Sequence, residues 1–159
     1  MTSHSATKHV ATVVWERRRS VETDSSYSRS HHWYFDGGTV VPASSSPQVV
    51  PVPMSDPTGV DPEEAFVASL SSCHTLWFLS IAARRGFVVE NYRDNAEGIL
   101  EKNDDGRLAI TVVTLRPNVV FARNKVPSAE EIHQFHDEAH KECFIANSVK
   151  SDVRCLPVI

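Results

Sequence analysis

The hydrophobic pattern of residues 61–86, DPEEAFVASLSSCHTLWFLSIAARRG, predicts one long and almost wholly apolar helix. Asp61 is a suitable N-cap, Pro62 suits the first helical position, and Glu64 follows three residues after the cap, as in a capping box. At the other end, Gly86 can adopt the left-handed conformation that ends a helix. We therefore expect a helix with well-defined ends.

This helix is predicted to lie at the centre of the fold. From Pro62 to Arg85 it would span roughly 36 Å at about 1.5 Å per residue. Residues 65–83 carry no Asp, Glu, Lys or Arg, which raises the possibility of a membrane span, but Ser, Thr, His and Cys are frequent in them. We therefore expect a buried core helix and no membrane association. Spacings of three and four residues predict that its apolar face contains Phe66, Leu70, Cys73, Trp77 and Ile81.

Two segments before the helix are predicted to be strands. Residues 8–16 and 31–35 are rich in β-branched and aromatic side chains. Residues 39–61 carry five of the nine prolines and are predicted to form a long loop without regular structure. Loops of this length in a compact domain are usually functional or wrap around a partner.

The segments after the helix are predicted to form a hairpin. Residues 88–101 and 108–121 flank Asn103-Asp104-Asp105-Gly106, a turn sequence that favours antiparallel pairing. Pro117 is expected to interrupt or bend the second strand, because proline lacks the N–H group that a ladder needs.

A second helix and a last strand complete the pattern. Ser128 and Glu131 form a second capping box, and the helix is predicted to run to about Ala146. Residues 153–159, VRCLPVI, are predicted to be a terminal strand. The order strands, helix, hairpin, helix, strand indicates an α+β fold in a single domain over 1–159, with residues 1–7 expected to be flexible. The apolar stripe of the second helix is Ile132, Phe135, Ala139, Cys143 and Ala146.

Composition narrows the functional classes. The chain has 159 residues and a net charge of −4, which argues against general nucleic-acid binding. The basic run at residues 17–19 is interpreted as a solvated strand end. The three cysteines are widely spaced, and the first residues lack a secretory signal, so we expect a cytoplasmic protein with free or catalytic thiols.

Cys73 is the first candidate for chemistry. A thiol reacts as the thiolate, and apolar burial generally disfavours that form, so a reactive Cys73 needs a cation or a hydrogen-bond donor. His74 points about 100° away on the helix, and Glu63 is about 15 Å distant along its axis. Glu63 would therefore act through an intermediate group. The alternative is that Cys73 is only a small buried hydrophobe.

Cys143 is the second candidate, with two alternatives. His136, His140 and Cys143 fall on nearly one face of the second helix, and with His133 they would be possible metal ligands. The other interpretation is a polar helix edge that faces solvent. The residues alone leave both open.

Two segments resemble the OsmC/Ohr family, which reduces organic hydroperoxides with thiols. The pattern from Asp61 to Cys73, D-P-E-E-x-F-x-A-x-L-x-S-C, is similar to the family's helix signature. Residues 139–149, AHKECFIANSV, are similar to its second-cysteine segment. The order of elements also matches from residue 8 onward. His74 stands where an aromatic residue is usual, which places the chain in a divergent branch.

The resemblance implies a fold and a reaction. The fold would be OsmC-like, with antiparallel sheets around two central helices in an intertwined homodimer whose active sites lie at the subunit interface. Cys73 would attack the peroxide and become a sulfenic acid, and Cys143 would condense with it to a disulfide. An external dithiol reductant of the lipoyl type would restore both thiols, without a metal or an organic cofactor.

The resemblance also implies an arginine that holds the thiolate, oriented by the glutamate at the start of the helix. Glu63 matches that glutamate by position, and Arg29 is our choice for the arginine, with Arg17, Arg18 and Arg19 as rivals. Cys155 has no family counterpart and is expected to be structural. The sequence therefore predicts a peroxidase for organic hydroperoxides, with hydrogen peroxide as a further substrate, active in oxidative-stress defence. The alternative is a non-catalytic module that binds a small ligand or a metal in an apolar dimer cleft.

Overall fold

The computed structural model of the protein describes residues 6–17 and 26–159, which form two compact units, one up to Pro62 and one from Glu63 onward. The expected flexibility of residues 1–7 concerns a segment that lies mostly outside the described residues. The single domain over 1–159 stays a prediction.

The first unit contains a three-stranded antiparallel sheet. Its strands are β1 (Ala11–Val14), β2 (His31–Phe35) and β3 (Val40–Ala43), in the order β1-β2-β3. The predicted strand at 31–35 is confirmed, and the one at 8–16 is shorter than predicted. In the register of β2 and β3, Trp33 lies opposite Val41.

The prediction that residues 39–61 lack regular structure is wrong, because they contain β3. Proline is tolerated in a strand at the edge of a sheet, and Pro42 lies in such a strand. The chain then returns against β3, where the Val60 N–H donates to the Pro42 carbonyl at 2.9 Å and the Ser44 N–H donates to the Val60 carbonyl at 3.1 Å. Gly59 permits this approach, since a Cβ there would lie 2.9 Å from the carbonyl carbon of Ala43.

Helix α1 (Pro62–Arg84) confirms the predicted long helix to within one residue. It ends in a Schellman motif, in which Gly86 has φ +76 and donates to Ala83 at 3.0 Å, and Phe87 donates to Ala82 at 2.9 Å. By length and composition alone α1 could also cross a membrane, a property that core helices of soluble proteins share.

The predicted face of α1 is partly wrong. Its fully buried residues are Leu70, His74, Phe78, Ile81 and Ala82, whereas Cys73 and Trp77 are half-buried. Apolar residues surround most of this helix, so spacing alone defines its rotation poorly.

The second unit contains two sheets. Its strands are β4 (Val89–Asp94), β5 (Glu97–Lys102), β6 (Leu108–Leu115), β7 (Pro117–Phe121) and β8 (Asp152–Cys155). The predicted hairpin is formed by β5 and β6, but the prediction of one strand over 88–101 is wrong, because β4 and β5 lie in different sheets. Strand β8 adds to β6 in parallel, and β4 pairs with β7. Pro117 is the first residue of β7, so the interruption predicted at this proline is confirmed.

Helix α2 (Ala129–Glu142) begins with the predicted capping box of Ser128 and Glu131. It ends four residues before the predicted Ala146, and a short 3-10 turn (Ala146–Ser148) follows. Cys143 is the C-cap with extended backbone (φ −66, ψ 109), so its placement inside the helix is wrong. The sequence after it is apolar and offers no signal for a stop.

Both helices contribute to the core of the second unit. One buried cluster joins Phe78 of α1 to Phe135 and Ala139 of α2. A second joins Leu70 of α1 to Val113 and Leu115 of β6. The two clusters fix α1 between α2 and the sheet of β5, β6 and β8, and thereby position the residues of the candidate site.

Candidate functional site

The thiols of Cys73 and Cys143 lie within hydrogen-bonding reach of each other. Both cysteines are free thiols in the structure. Cys73 comes from the middle of α1 and Cys143 from the end of α2, so packing of the two helices brings them together. The extended backbone of Cys143 takes this residue out of the helix, next to α1.

Cys143 has a strongly perturbed environment. Its side chain is only 1% exposed. Burial first, and then the hydrogen bond with Cys73, raise the pKa of the Cys143 thiol to about 11. The Ala146 N–H donates to its sulfur at 3.4 Å and opposes this effect. At neutral pH Cys143 is therefore a protonated thiol that can donate to the Cys73 sulfur.

Cys73 is the more accessible of the two thiols. It is half-buried, whereas Cys143 is buried. Trp77, one turn after Cys73 on α1, packs edge-to-face against Phe144, the residue after Cys143, with ring centroids 5.6 Å apart. Two large apolar rings therefore meet next to the cysteines in the chain.

Glu63 lies in the first turn of α1 with a partly buried side chain. It precedes Cys73 by ten residues on one continuous helix, about 15 Å along the axis. A direct contact between Glu63 and Cys73 is excluded by this distance, as expected, and an intermediate group is needed for any effect of one on the other.

Arg29 lies in the first unit, where it interacts with Tyr27. Its guanidinium carbon is 3.7 Å from the centroid of the Tyr27 ring, and its Nη1 donates to the Tyr27 carbonyl. Arg17 lies near the same ring, at 5.7 Å. The roles of these arginines towards Cys73 remain predictions, and Arg18 and Arg19 lie outside the described residues.

His74 forms a buried pair with His136 of α2. His74 Nε2 is 3.0 Å from His136 Nδ1, and the two ring planes are nearly parallel, with an interplanar angle of 10°. The two side chains are 1% and 2% exposed. Burial lowers the pKa of His74 to about 4 and that of His136 to about 3, so both imidazoles are neutral at neutral pH.

Cys155 of β8 joins this pair. Its sulfur lies 3.7 Å from His74 Nε2. Burial, followed by the charges of Asp94 and Asp137, raises the pKa of the Cys155 thiol to about 12. We refer to His74, His136 and Cys155 as the His-His-Cys cluster.

The structure does not bring together the metal ligands considered from the sequence. Within 6–17 and 26–159, the group of His, Cys and acidic residues whose donor atoms lie close enough for one ion is the His-His-Cys cluster. Of the predicted ligands, only His136 belongs to it. Cys143 instead contacts Cys73, while His133 is exposed and His140 half-buried.

Sequence reasoning missed the partnership of the two histidines. A signal was present, since His74 lies midway between Leu70 and Phe78 at steps of four, and both neighbours are buried. His136 likewise adjoins the buried Phe135. A histidine in a buried position predicts a polar partner, but only the packing of α1 on α2 identifies that partner.

With this fold and thiol pair in view, comparison with known proteins defines the family. The model for OsmC-like proteins matches residues 55–155, and the chain belongs to this family. An OsmC-like protein of unknown function from Vibrio cholerae is similar over 96% of this chain and 100% of its own, with 52% identity and a TM-score of 0.94. The predicted OsmC-like α+β fold, with two helices and antiparallel sheets, is confirmed.

Hydroperoxide resistance proteins share the fold at lower identity. The organic hydroperoxide resistance protein OhrB of Bacillus subtilis is 20% identical with a TM-score of 0.64, over 94% of this chain and 98% of its own. The corresponding protein from Legionella pneumophila is 14% identical with a TM-score of 0.71, over 98% and 99%. Sequence identities this low establish only that the fold is shared. No curated protein matches this chain.

Proposed function

We propose that this protein is a thiol peroxidase that reduces organic hydroperoxides through Cys73 and Cys143. The observation that carries the proposal is that half-buried Cys73 lies close enough to buried Cys143 to raise the pKa of its thiol. Membership of a family that includes hydroperoxide resistance proteins supports it.

The proposed catalytic cycle has three steps. The Cys73 thiolate attacks one peroxide oxygen, the O–O bond breaks, and with one proton the products are an alcohol and the Cys73 sulfenic acid. The Cys143 thiol then forms an S–S bond with Cys73, and water leaves. An external dithiol reduces this disulfide to two thiols and is itself oxidised to a disulfide.

The environment of the pair suits these steps. The protonated Cys143 thiol is held next to Cys73 and is available for condensation. Its deep burial shields it from reagents in solution, so the peroxide reaches Cys73 first. The apolar ring pair of Trp77 and Phe144 nearby favours an alkyl or aryl hydroperoxide over hydrogen peroxide.

In this proposal Glu63 and Arg29 assist Cys73. Glu63 is too far from Cys73 to touch it along α1, so its carboxylate would orient a cation that holds the thiolate. Arg29 is the candidate, and Arg17, which lies by the same tyrosine ring, is its rival.

The proposed working form is a cytoplasmic homodimer. Large apolar side chains of the first unit are exposed, with Val13 at 62% and Trp15 at 41%, and Leu76 on α1 is 65% exposed. Apolar surface of this kind is covered in many oligomers. Sedimentation of the purified protein at micromolar concentration tests this, and a monomer at all concentrations would exclude the dimer.

The deciding experiment is a peroxidase assay with cumene hydroperoxide and hydrogen peroxide, using dihydrolipoamide and a monothiol in parallel. Turnover with the dithiol is expected, with the organic peroxide preferred. Cys73→Ser should abolish turnover, whereas Cys143→Ser should consume one equivalent of peroxide and stop at a sulfenic acid that dimedone traps. Full activity of Cys73→Ser would refute the proposal.

A further inference from the structure

The His-His-Cys cluster has the composition and spacing of a metal site. Its donors come from α1, α2 and β8, three elements that the core packs together. The donor atoms of all three residues lie within 4.8 Å of one another. It uses neither thiol of the Cys73–Cys143 pair.

The distances match those of a tetrahedral ion. Zn–N bonds of about 2.05 Å and a Zn–S bond of about 2.3 Å place two nitrogen ligands about 3.3 Å apart and a nitrogen and a sulfur about 3.6 Å apart. His74 Nε2 is 3.0 Å from His136 Nδ1 and 3.7 Å from Cys155 Sγ. The donor atoms of His136 and Cys155 lie within 4.8 Å of each other, so these two residues would draw closer together around an ion.

Hydrogen bonding alone leaves this cluster incomplete. His136 Nδ1 and Cys155 Sγ both approach His74 Nε2, yet an imidazole nitrogen is either a donor or an acceptor for one partner. His74 Nδ1 and His136 Nε2, the ring nitrogens that take no part in these contacts, are also buried without a hydrogen-bond partner among the described residues.

The donor set suits a thiophilic ion. His136 also lines a cavity of about 480 Å³ together with Ile132 and Val158, which provides room for an ion to enter. Two imidazoles and one thiolate favour Zn²⁺ over the hard ions Mg²⁺ and Ca²⁺.

We propose that His74, His136 and Cys155 bind one Zn²⁺ ion per chain, with a water molecule as the fourth ligand. This site is independent of the proposed peroxidase cycle, and its test does not use that activity. Three protein ligands with an open position are typical of zinc sites that bind a further ligand.

The test uses full-length protein with Cys73→Ser and Cys143→Ser, so that Cys155 is the only thiol. Co²⁺ is titrated into chelator-treated protein and followed by absorbance, and Zn²⁺ is then added. We expect one Co²⁺ per chain, a thiolate-to-cobalt charge-transfer band, and displacement by Zn²⁺. Absence of the band would overturn the proposal.

Ligand variants in this background identify the donors. Cys155→Ser should abolish the charge-transfer band, and His136→Gln should weaken binding at least about tenfold. His133→Ala, on the exposed side of α2, is the matched control and should leave the affinity unchanged. A band that persists in Cys155→Ser, or an equal loss in His133→Ala, would contradict the assignment.

If the ligand variants fail to fold, protection of Cys155 from alkylation tests zinc binding without them. In the same double-serine protein, Zn²⁺ should slow alkylation of Cys155 by N-ethylmaleimide at least about tenfold, as quantified by mass spectrometry. Mg²⁺ should give no protection. Equal alkylation rates with and without Zn²⁺ would overturn the proposal.

Discussion

Cys143 is buried at the C-cap of α2, and its thiol lies close enough to Cys73, half-buried in the middle of α1, for Cys73 to raise its pKa. The two cysteines are separated by the whole hairpin and by most of α2 in sequence. Their different burial gives them different properties, because the Cys143 thiol is shielded and protonated at neutral pH while Cys73 can be reached from solvent.

This difference predicts the order of alkylation. At pH 8 iodoacetamide should modify Cys73 first, because Cys143 is 1% exposed and its pKa is raised to about 11, while the pKa of Cys155 is raised to about 12. Peptide mass spectrometry over time measures the three rates. In urea all three cysteines should react alike, and equal rates in the native protein would contradict the shielding of Cys143.

The buried histidine pair predicts loss of stability in mild acid. The pKa values of His74 and His136 are lowered to about 4 and about 3, so below the unfolded value of about 6.5 the unfolded chain binds more protons. Their stabilising contribution is full above pH 6.5 and is lost as the pH falls towards 4 and 3. Between pH 7 and pH 5 the free energy of unfolding should fall by about 2 kcal/mol per histidine.

Urea unfolding at pH 7 and pH 5 measures this change. The double variant with His74→Gln and His136→Gln should show a smaller decrease in the free energy of unfolding. His133→Gln, at an exposed position, should show the same decrease as the unmodified protein. If the double variant loses as much stability as the unmodified protein, the pair is not the source of the pH dependence.

A close contact between β5 and α1 predicts that adding a single methyl group lowers the free energy of unfolding. A Cβ at Gly98 would lie 2.7 Å from Cγ2 of Val67 and 3.2 Å from Cγ2 of Ile110. Gly98→Ala should therefore destabilise the protein by about 1–3 kcal/mol, as overpacking does. Gly37→Ala, where a Cβ meets nothing within 4 Å, should change stability far less.

A double-mutant cycle locates the cause of that cost. Val67→Ala removes the group that the new methyl would strike, so Gly98→Ala should cost less in that background. Chemical denaturation of the four proteins gives the coupling energy. An equal cost in both backgrounds would place the strain elsewhere.

The proposed role of Arg29 predicts a kinetic effect. Arg29→Ala should slow peroxide attack at Cys73 at least about tenfold, or about 1.4 kcal/mol in the barrier, because a cation that holds the thiolate is lost. Stopped-flow measurement of the first oxidation tests this, with Arg29→Lys expected to restore part of the rate. Arg17→Ala is the comparison. If Arg17→Ala slows the oxidation of Cys73 while Arg29→Ala leaves its rate unchanged, Arg17 and not Arg29 holds the thiolate.

The amino-acid sequence by itself determined most of the elements and the family. Local sequence signals correctly predicted the start of α2 at its capping box, the end of α1 at Gly86 and the interruption at Pro117. Caps, left-handed glycines and prolines act over only a few residues, so no tertiary information was needed. The signature around Cys73 indicated the OsmC-like family, which the comparison confirmed.

Only the tertiary structure decided which side chains meet. The rotation of α1 was ambiguous because the helix is apolar on most sides, so His74 was not expected on the buried face. The end of α2 lacks a local stop signal, so the extended backbone of Cys143 emerged only from packing. Contacts such as Cys73 with Cys143 and His74 with His136 join distant parts of the chain, and the packing of α1, α2 and β8 determines them.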